Sequence, residues 1–297
     1  MPQSFWRDIL TAAQKAAAPV AERQRQDFRQ VQAQTKTDGS LVTETDEWSD
    51  RQLRTALQAA FPDHGLLSEE TSQIFPAHDW CWVIDPLDGT TNFARGIPLW
   101  GISLGLLYRG IPRFGYVEIP PLRQAFYGYW PGPDPSQLPP LPLPPCPQGA
   151  HWIGDTSQPS LQETIQTSPA ELSPSQCFSF CTRSIHQLSQ ADQPQRPFPC
   201  KIRMLGVATY NLLTVALGSS LGGVEATPKV WDIAATWPIV QAAGGHWQGL
   251  SPGPIFPLQV GQDYQAIDCP SLVVAQPRHI EAFLPFFKRL GTKGLRG

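Results

Sequence analysis

The chain has 297 residues, 41% of them hydrophobic and 16% charged, with 24 glycines, 32 prolines and a net charge of −3. That length and apolar content support a sizeable core and exclude a charge-driven disordered chain, while the proline excess demands many fixed connections, because proline locks φ and removes a backbone donor. A pI near 6.1 leaves no basic footprint for duplex DNA or RNA as a main partner.

Residues 3–30 place Phe5, Ile9, Leu10, Ala13, Ala16 and Ala17 at helical spacing, and 45–60 repeat the pattern around Leu53, Ala56 and Leu57. Asp8 and the Gln and Lys residues of the first segment interrupt the apolar stretch a signal peptide needs, and no apolar run reaches the roughly 18 to 20 residues of a membrane span. A cytoplasmic protein that binds no membrane is therefore expected. Residues 80–84 read as a short buried strand entering Asp85-Pro86-Leu87-Asp88-Gly89-Thr90-Thr91-Asn92-Phe93. Strands over 102–108, 113–119 and 124–130 follow, with Arg109-Gly110 and Pro120-Pro121 as turns, and such close spacing predicts an antiparallel meander.

Between Pro131 and Pro147 nine of 17 positions are proline, which predicts an extended connection and a boundary between an N-terminal half, 1–148, and a C-terminal half, 149–297. The two halves are expected to pack tightly, as one domain or nearly so. Residues 158–199 show no clear periodicity. Beyond Lys201 helices over 207–217, 233–243 and 278–290 alternate with strands over 222–226 and 272–275, which predicts an α/β second half. The six cysteines, at 81, 146, 177, 181, 200 and 269, form no Cys-x-x-Cys pair and read as buried thiols, and the six dispersed histidines support no catalytic imidazole.

The chemistry concentrates in carboxylates. Asp85 and Asp88 end an apolar strand three positions apart, Pro86 fixes the turn, and Gly89 and Thr90 offer backbone N–H groups at a helix start, suited to an anionic oxygen. Oxygen-only ligands beside an anion site favour Mg²⁺ over Zn²⁺. The plainer alternative is an Asx turn with its cap. Glu69 and Glu70 follow another short apolar segment, Asp46 stands at a helix start, and Asp232 precedes a helix that Pro238 would bend; taken singly, these are also a solvated loop, a macrodipole partner and an N-cap.

Together LVTETD, SEE, WVIDPLDGTTNF, IRMLGVATYN and Glu225 followed by VWDIAA resemble, in order, the inositol monophosphatase family of magnesium-dependent, lithium-sensitive phosphatases. The resemblance spans roughly 36–90 and 201–245. It implies a layered αβαβα sandwich with the metal site where the halves meet. It further implies a first ion on Glu69, Asp85 and the Leu87 carbonyl, a second on Asp85, Asp88 and Asp232, and a weaker third near Glu69, hence two to three Mg²⁺. The hydroxyl–carboxylate pair that orients the attacking water falls on Thr90 and Asp46, with Glu69 beside it, and the Gly89 and Thr90 amides bind phosphate oxygens. Glu225 matches a residue that binds ring hydroxyls, Gly206 to Ala208 match the adjoining loop, and Lys36 matches a lysine near the metals, with a solvated lysine as its alternative.

The proline tract replaces an expected glycine-rich hairpin, and 151–199 has no clear counterpart. The resemblance thus predicts a phosphoric monoester hydrolase acting on a small polyol phosphate such as myo-inositol 1-phosphate. Histidinol phosphate, fructose 1,6-bisphosphate and a 3'-phosphoadenosine nucleotide are alternative substrates. A non-catalytic scaffold that binds partners through the proline tract is the alternative of another class. Members of the family are commonly dimers, which makes a homodimer the assembly to test.

Overall fold

The computed structural model describes residues 2–35, 39, 41–132, 146–158, 162–185, 197–287 and 290. Helix α1 spans Pro2–Asp27 and buries Trp6, Ile9, Ala13, Ala16, Ala17 and Val20 along one stripe, the spacing of a 3.6-residue repeat. After a small antiparallel pair, β1 (Ala33–Thr35) and β2 (Leu41–Thr43), the chain enters α2 (Glu44–Ala60). Thr43 is its N-cap: Asp46 N donates to the Thr43 hydroxyl, and Thr43 N donates back to Asp46 Oδ2 at 2.8 Å, a capping box.

Both helices cover one face of a seven-stranded sheet, in which Trp82, Ile84, Ile102, Leu104, Leu106 and Phe114 meet their apolar stripes. The strands are β3 (Gly65–Ser68), β4 (Trp80–Asp88), β5 (Gly101–Tyr108), β6 (Ile111–Ile119), β7 (Gln124–Tyr129), β8 (Gly149–Ile153) and β9 (Gln162–Ile165), in that order across the sheet. The predicted meander runs from β4 to β9, and β3 adds the one parallel pairing, along β4. A short helix, α3 (Thr90–Ala94), follows β4 directly.

The second sheet is five-stranded, ordered β11-β10-β12-β14-β13, with β10 (Cys177–Phe180), β11 (Lys201–Arg203), β12 (Gly222–Glu225), β13 (His246–Gly249) and β14 (Ser271–Val274). Helices α4 (Ala208–Ala216), α5 (Val230–Ile233) and α6 (Thr236–Ala242) lie between the sheets, and α7 (Arg278–Phe283) covers the far face, where Phe283 packs on Phe178. Five layers, αβαβα, result. One continuous apolar core joins Val117 and Phe126 of the first sheet to Leu272 and Val274 of the second.

Several elements differ from the sequence reading. The strand expected over 80–84 continues through Pro86 to Asp88, because the bulge between Asp85 and Asp88 absorbs the missing proline donor. The helix expected over 233–243 is two helices broken at 234–235, and Pro238 sits in the first turn of α6, where its missing N–H has no intrahelical partner to lose. Asp232 therefore stands inside the short helix α5 rather than ahead of a helix. The helix expected over 278–290 ends at Phe283 and gives way to a tighter turn over Leu284–Phe286. Most of the proline tract lies outside the described residues, whereas 151–199, the segment without a clear counterpart in the resemblance, supplies β9, β10 and part of β8.

A row of glycines explains how the second half reaches the first. Gly105, Gly115 and Gly128 stand in register on β5, β6 and β7. A methyl group there would lie 2.7 Å from Ala234 at Gly105, 2.8 Å from Ile239 at Gly128, and closer still to Ala235 at Gly115. The bare backbone lets the α5–α6 segment lie directly on the sheet, which carries Asp232 to the end of β4.

Candidate metal and phosphate site

Asp85, Asp88 and Asp232 each direct a carboxylate oxygen to one place, all within 4.8 Å of one another. Asp85 and Asp88 are buried at the bulged end of β4, and Asp232 arrives half-buried from α5. Burial first, then repulsion from Glu69, Asp88 and Asp232, pushes Asp85 well above the usual carboxylate range. Burial likewise raises Asp88 against the donors that lower it, and burial with the Asp88 charge pushes Asp232 up to about 8. Among the described residues no lysine or arginine side chain pairs with these three acids. Clustered carboxylates with no counter-charge favour protons or cations over bare charge. The donor set, all oxygen, fits a hard divalent ion.

The surrounding backbone holds each acid in place. Leu87 N donates to Asp85 Oδ1 at 3.0 Å. Asp88 receives Ala208 N at 3.1 Å, Thr209 N at 2.7 Å and the Thr209 hydroxyl at 2.6 Å, so the start of α4 fixes its carboxylate. Lys229 N donates to Asp232 Oδ2 at 2.7 Å. Glu69 follows β3 at the turn beside β4, its N–H on the Ile84 carbonyl at 3.2 Å, and its charge acts on Asp85.

Thr90 and Asp46, far apart in sequence, meet directly: the Thr90 hydroxyl lies 2.9 Å from Asp46 Oδ1 and 3.1 Å from the Leu87 carbonyl. The other Asp46 oxygen accepts from the Thr43 hydroxyl at 2.5 Å. Gly89, at φ 95°, caps α3 from the left-handed region, and a side chain there would press on Val207 Cγ2 at 2.9 Å.

A cavity of about 320 Å³ opens beside the acids, lined by Asp88, Gly206, Ala208, Glu225 and Asp232 together with Arg183. Burial pushes Glu225 up to about 8, and Asn211 Nδ2 donates to its Oε1 at 2.6 Å. Of the candidate residues Asp88, Gly206, Ala208, Glu225 and Asp232 line this cleft, Asp85 joins it through the acid cluster, and Lys36 lies outside the described residues.

The model of the inositol monophosphatase family matches residues 3–283. The chain belongs to this family. An inositol-1-monophosphatase from a Synechocystis species is 30% identical over 246 residues, covering 81% of this chain and 77% of its own. A histidinol-phosphatase from Chlorobaculum parvum is 28% identical over 217 residues, covering 73% and 75%. Among solved structures, an IMPase/NADP phosphatase complexed with Mg²⁺ and phosphate superposes with a TM-score of 0.69 at 21% identity over 96% of this chain and 95% of that one, a likeness of fold. The family is one of metal-dependent phosphatases, which agrees with the acid cluster found here.

Sequence reasoning missed the residues that hold the acids. Gln24 of α1, fully buried, donates from Nε2 to the Pro86 carbonyl at 2.8 Å and to Ser49 Oγ at 3.1 Å, while Trp100 Nε1 donates to its Oε1 at 3.0 Å. Asp50, also fully buried, accepts from Ser68 and Thr71. Asp50 had one legible signal, its place one helical turn after Asp46, and Thr209 another, its place within IRMLGVATYN, whereas Gln24 had none. Among the described residues no helix is long and apolar enough to cross a membrane.

Proposed function

We propose that this chain hydrolyses a small polyol phosphate, such as myo-inositol 1-phosphate, with two to three Mg²⁺ ions. The observation that carries the reading is the convergence of Asp85, Asp88 and Asp232 beside the Thr90–Asp46 pair. Glu69, Asp85 and the Leu87 carbonyl would hold one ion, Asp85, Asp88 and Asp232 another, and Glu69 would neighbour a third. When bound, the metal supplies Lewis-acid polarisation of the phosphate, a lowered pKa for bound water and charge for the leaving alkoxide.

The chain's own groups handle the proton and the orientation. Thr90, donating to Asp46, keeps lone pairs on its hydroxyl oxygen, so it can take a proton from an attacking water while its own passes to Asp46 Oδ1. Thr43 fixes Asp46 from the other side and keeps that pair aligned. The Gly89 and Thr90 amides receive phosphate oxygens. Glu225, steadied by Asn211, accepts a hydroxyl of the alcohol, with Gly206 and Ala208 forming the adjoining wall.

A second substrate reading rests on the histidinol-phosphatase relative, whose similarity is close to that of the inositol-1-monophosphatase. The deciding experiment compares kcat/KM for myo-inositol 1-phosphate, histidinol phosphate, fructose 1,6-bisphosphate and a 3'-phosphoadenosine nucleotide, with and without Mg²⁺. The inositol ester should be the best of the four and inert without Mg²⁺. A preference for histidinol phosphate would replace the substrate, and Mg²⁺-independent release would overturn the mechanism.

A further inference from the structure

One face of α2 touches every segment that delivers an acid from the first sheet. Asp46, Ser49 and Asp50, at i, i+3 and i+4, share that face. Asp46 engages Thr90, and Ser49 accepts from Gln24, which in turn holds the Pro86 carbonyl. Asp50 reaches the turn after β3: Oδ1 accepts from the Ser68 hydroxyl and Oδ2 from the Thr71 hydroxyl at 3.0 Å. Ser68 and Thr71 bracket Glu69 and Glu70, and Ser68 and Ser72 close the same turn through paired backbone bonds of 2.8 and 3.3 Å. The Asp50 carboxylate is wholly buried, with Arg54 Nη1 3.9 Å from Oδ2.

We infer that Asp50 is a positioning residue for the cation site that includes Glu69: by clamping both flanks of the 68–72 turn to α2, it fixes where Glu69 stands relative to Asp85. This rests on the metal reading above. A carboxylate on a tight loop offers a ligand only within the loop's own excursions, and Asp50 removes those excursions from a rigid helix that also carries Asp46. Residues that orient a ligand in this way change metal affinity by about 10–100-fold when removed. The effect is selective, since Asp88 and Asp232 are held by α4 and by Lys229 N, with no part played by Asp50.

The test is calorimetric titration of the metal-free full chain with Mg²⁺, comparing wild type, Asp50→Asn and Thr71→Val, alongside thermal melts of the same samples. Asp50→Asn should weaken one class of Mg²⁺ site about 10–100-fold and leave the other within about twofold. Thr71→Val, which removes one of the two clamps, should fall between it and wild type. The Mg²⁺ concentration for half-maximal phosphate release should rise in parallel while kcat at saturating Mg²⁺ recovers, which a merely structural defect would not allow. Unchanged Mg²⁺ affinity in both variants, or equal weakening of all sites, would overturn the inference. A wild-type chain that binds no Mg²⁺ would instead overturn the metal reading beneath it.

Discussion

Two cavities of this molecule make opposite use of burial. The larger, about 550 Å³, is lined by Trp130, Trp237, Ile255, Phe256 and Pro257 and by no charged residue. The smaller, about 320 Å³, has Asp88, Glu225 and Asp232 in its wall. In the apolar groove the aromatic rings satisfy each other, with Trp237 4.7 Å from Trp247 and 5.1 Å from Phe256. In the acid cleft the carboxylates oppose each other, and donors from Leu87, Ala208, Thr209, Asn211 and Lys229 hold them in place. Size is therefore a poorer guide to a candidate site than clustered charge held in place by backbone donors.

The contrast can be broken at several points. Asp88→Asn should cause the largest loss, since in the proposed mechanism several kcal/mol of metal-derived charge stabilisation would depend on that carboxylate: phosphate release at saturating Mg²⁺ should fall on the order of 10³-fold. Wild-type turnover in that variant would remove Asp88 from the metal site. Thr90→Val should lower kcat by about 10²-fold with KM little changed, because it removes the proton acceptor and leaves the phosphate amides in place. A change confined to KM would reassign Thr90 to binding.

The first group of site residues came from the sequence because they are local: Asp85, Asp88 and Thr90 lie within six residues, at the end of an apolar strand. What joins them to Asp232 was not local. The glycine row that seats α5–α6 depends on the register of three strands, and no single strand announces it. Gln24, Asp50 and Thr209 were passed over for the same reason, since each takes up its role only through a partner 18 or more positions away. The layered architecture was read from resemblance, and the strands of 151–199 were missed because their pairing is set by neighbours rather than by an alternating pattern.

Gly115→Ala tests that seating. The added methyl meets Ala235 backbone, so it should destabilise the chain by about 1–3 kcal/mol in denaturant melts and weaken Mg²⁺ binding through Asp232. Loss of stability with intact Mg²⁺ affinity would separate packing from the site.

The pH dependence carries a definite sign. Asp85 and Asp88 are raised in the folded chain, and Asp232 and Glu225 reach about 8, so the folded state keeps protons that the unfolded state releases near pH 4. Their stabilising contribution is fully present below pH 4 and is lost as pH rises toward about 8. Metal-free Tm should decline across that window as far as these groups determine it. The Tm increment from Mg²⁺ should grow with pH, because the ion displaces those protons. An increment independent of pH would mean that Mg²⁺ binds elsewhere.

Smallest of all should be Trp237→Phe in the apolar groove. It deletes an indole N–H that has no partner among the described residues, so stability should change by about 1 kcal/mol or less and kcat by less than about twofold. A large loss of turnover would show that the two cavities communicate.

Anomalous diffraction from crystals soaked in Mn²⁺ would locate the ions themselves. Peaks should lie within bonding distance of the Asp85, Asp88 and Asp232 carboxylates, with a neighbour at Glu69. Peaks only at other positions, with Asp85 and Asp232 still hydrogen-bonded through a retained proton, would contradict that placement.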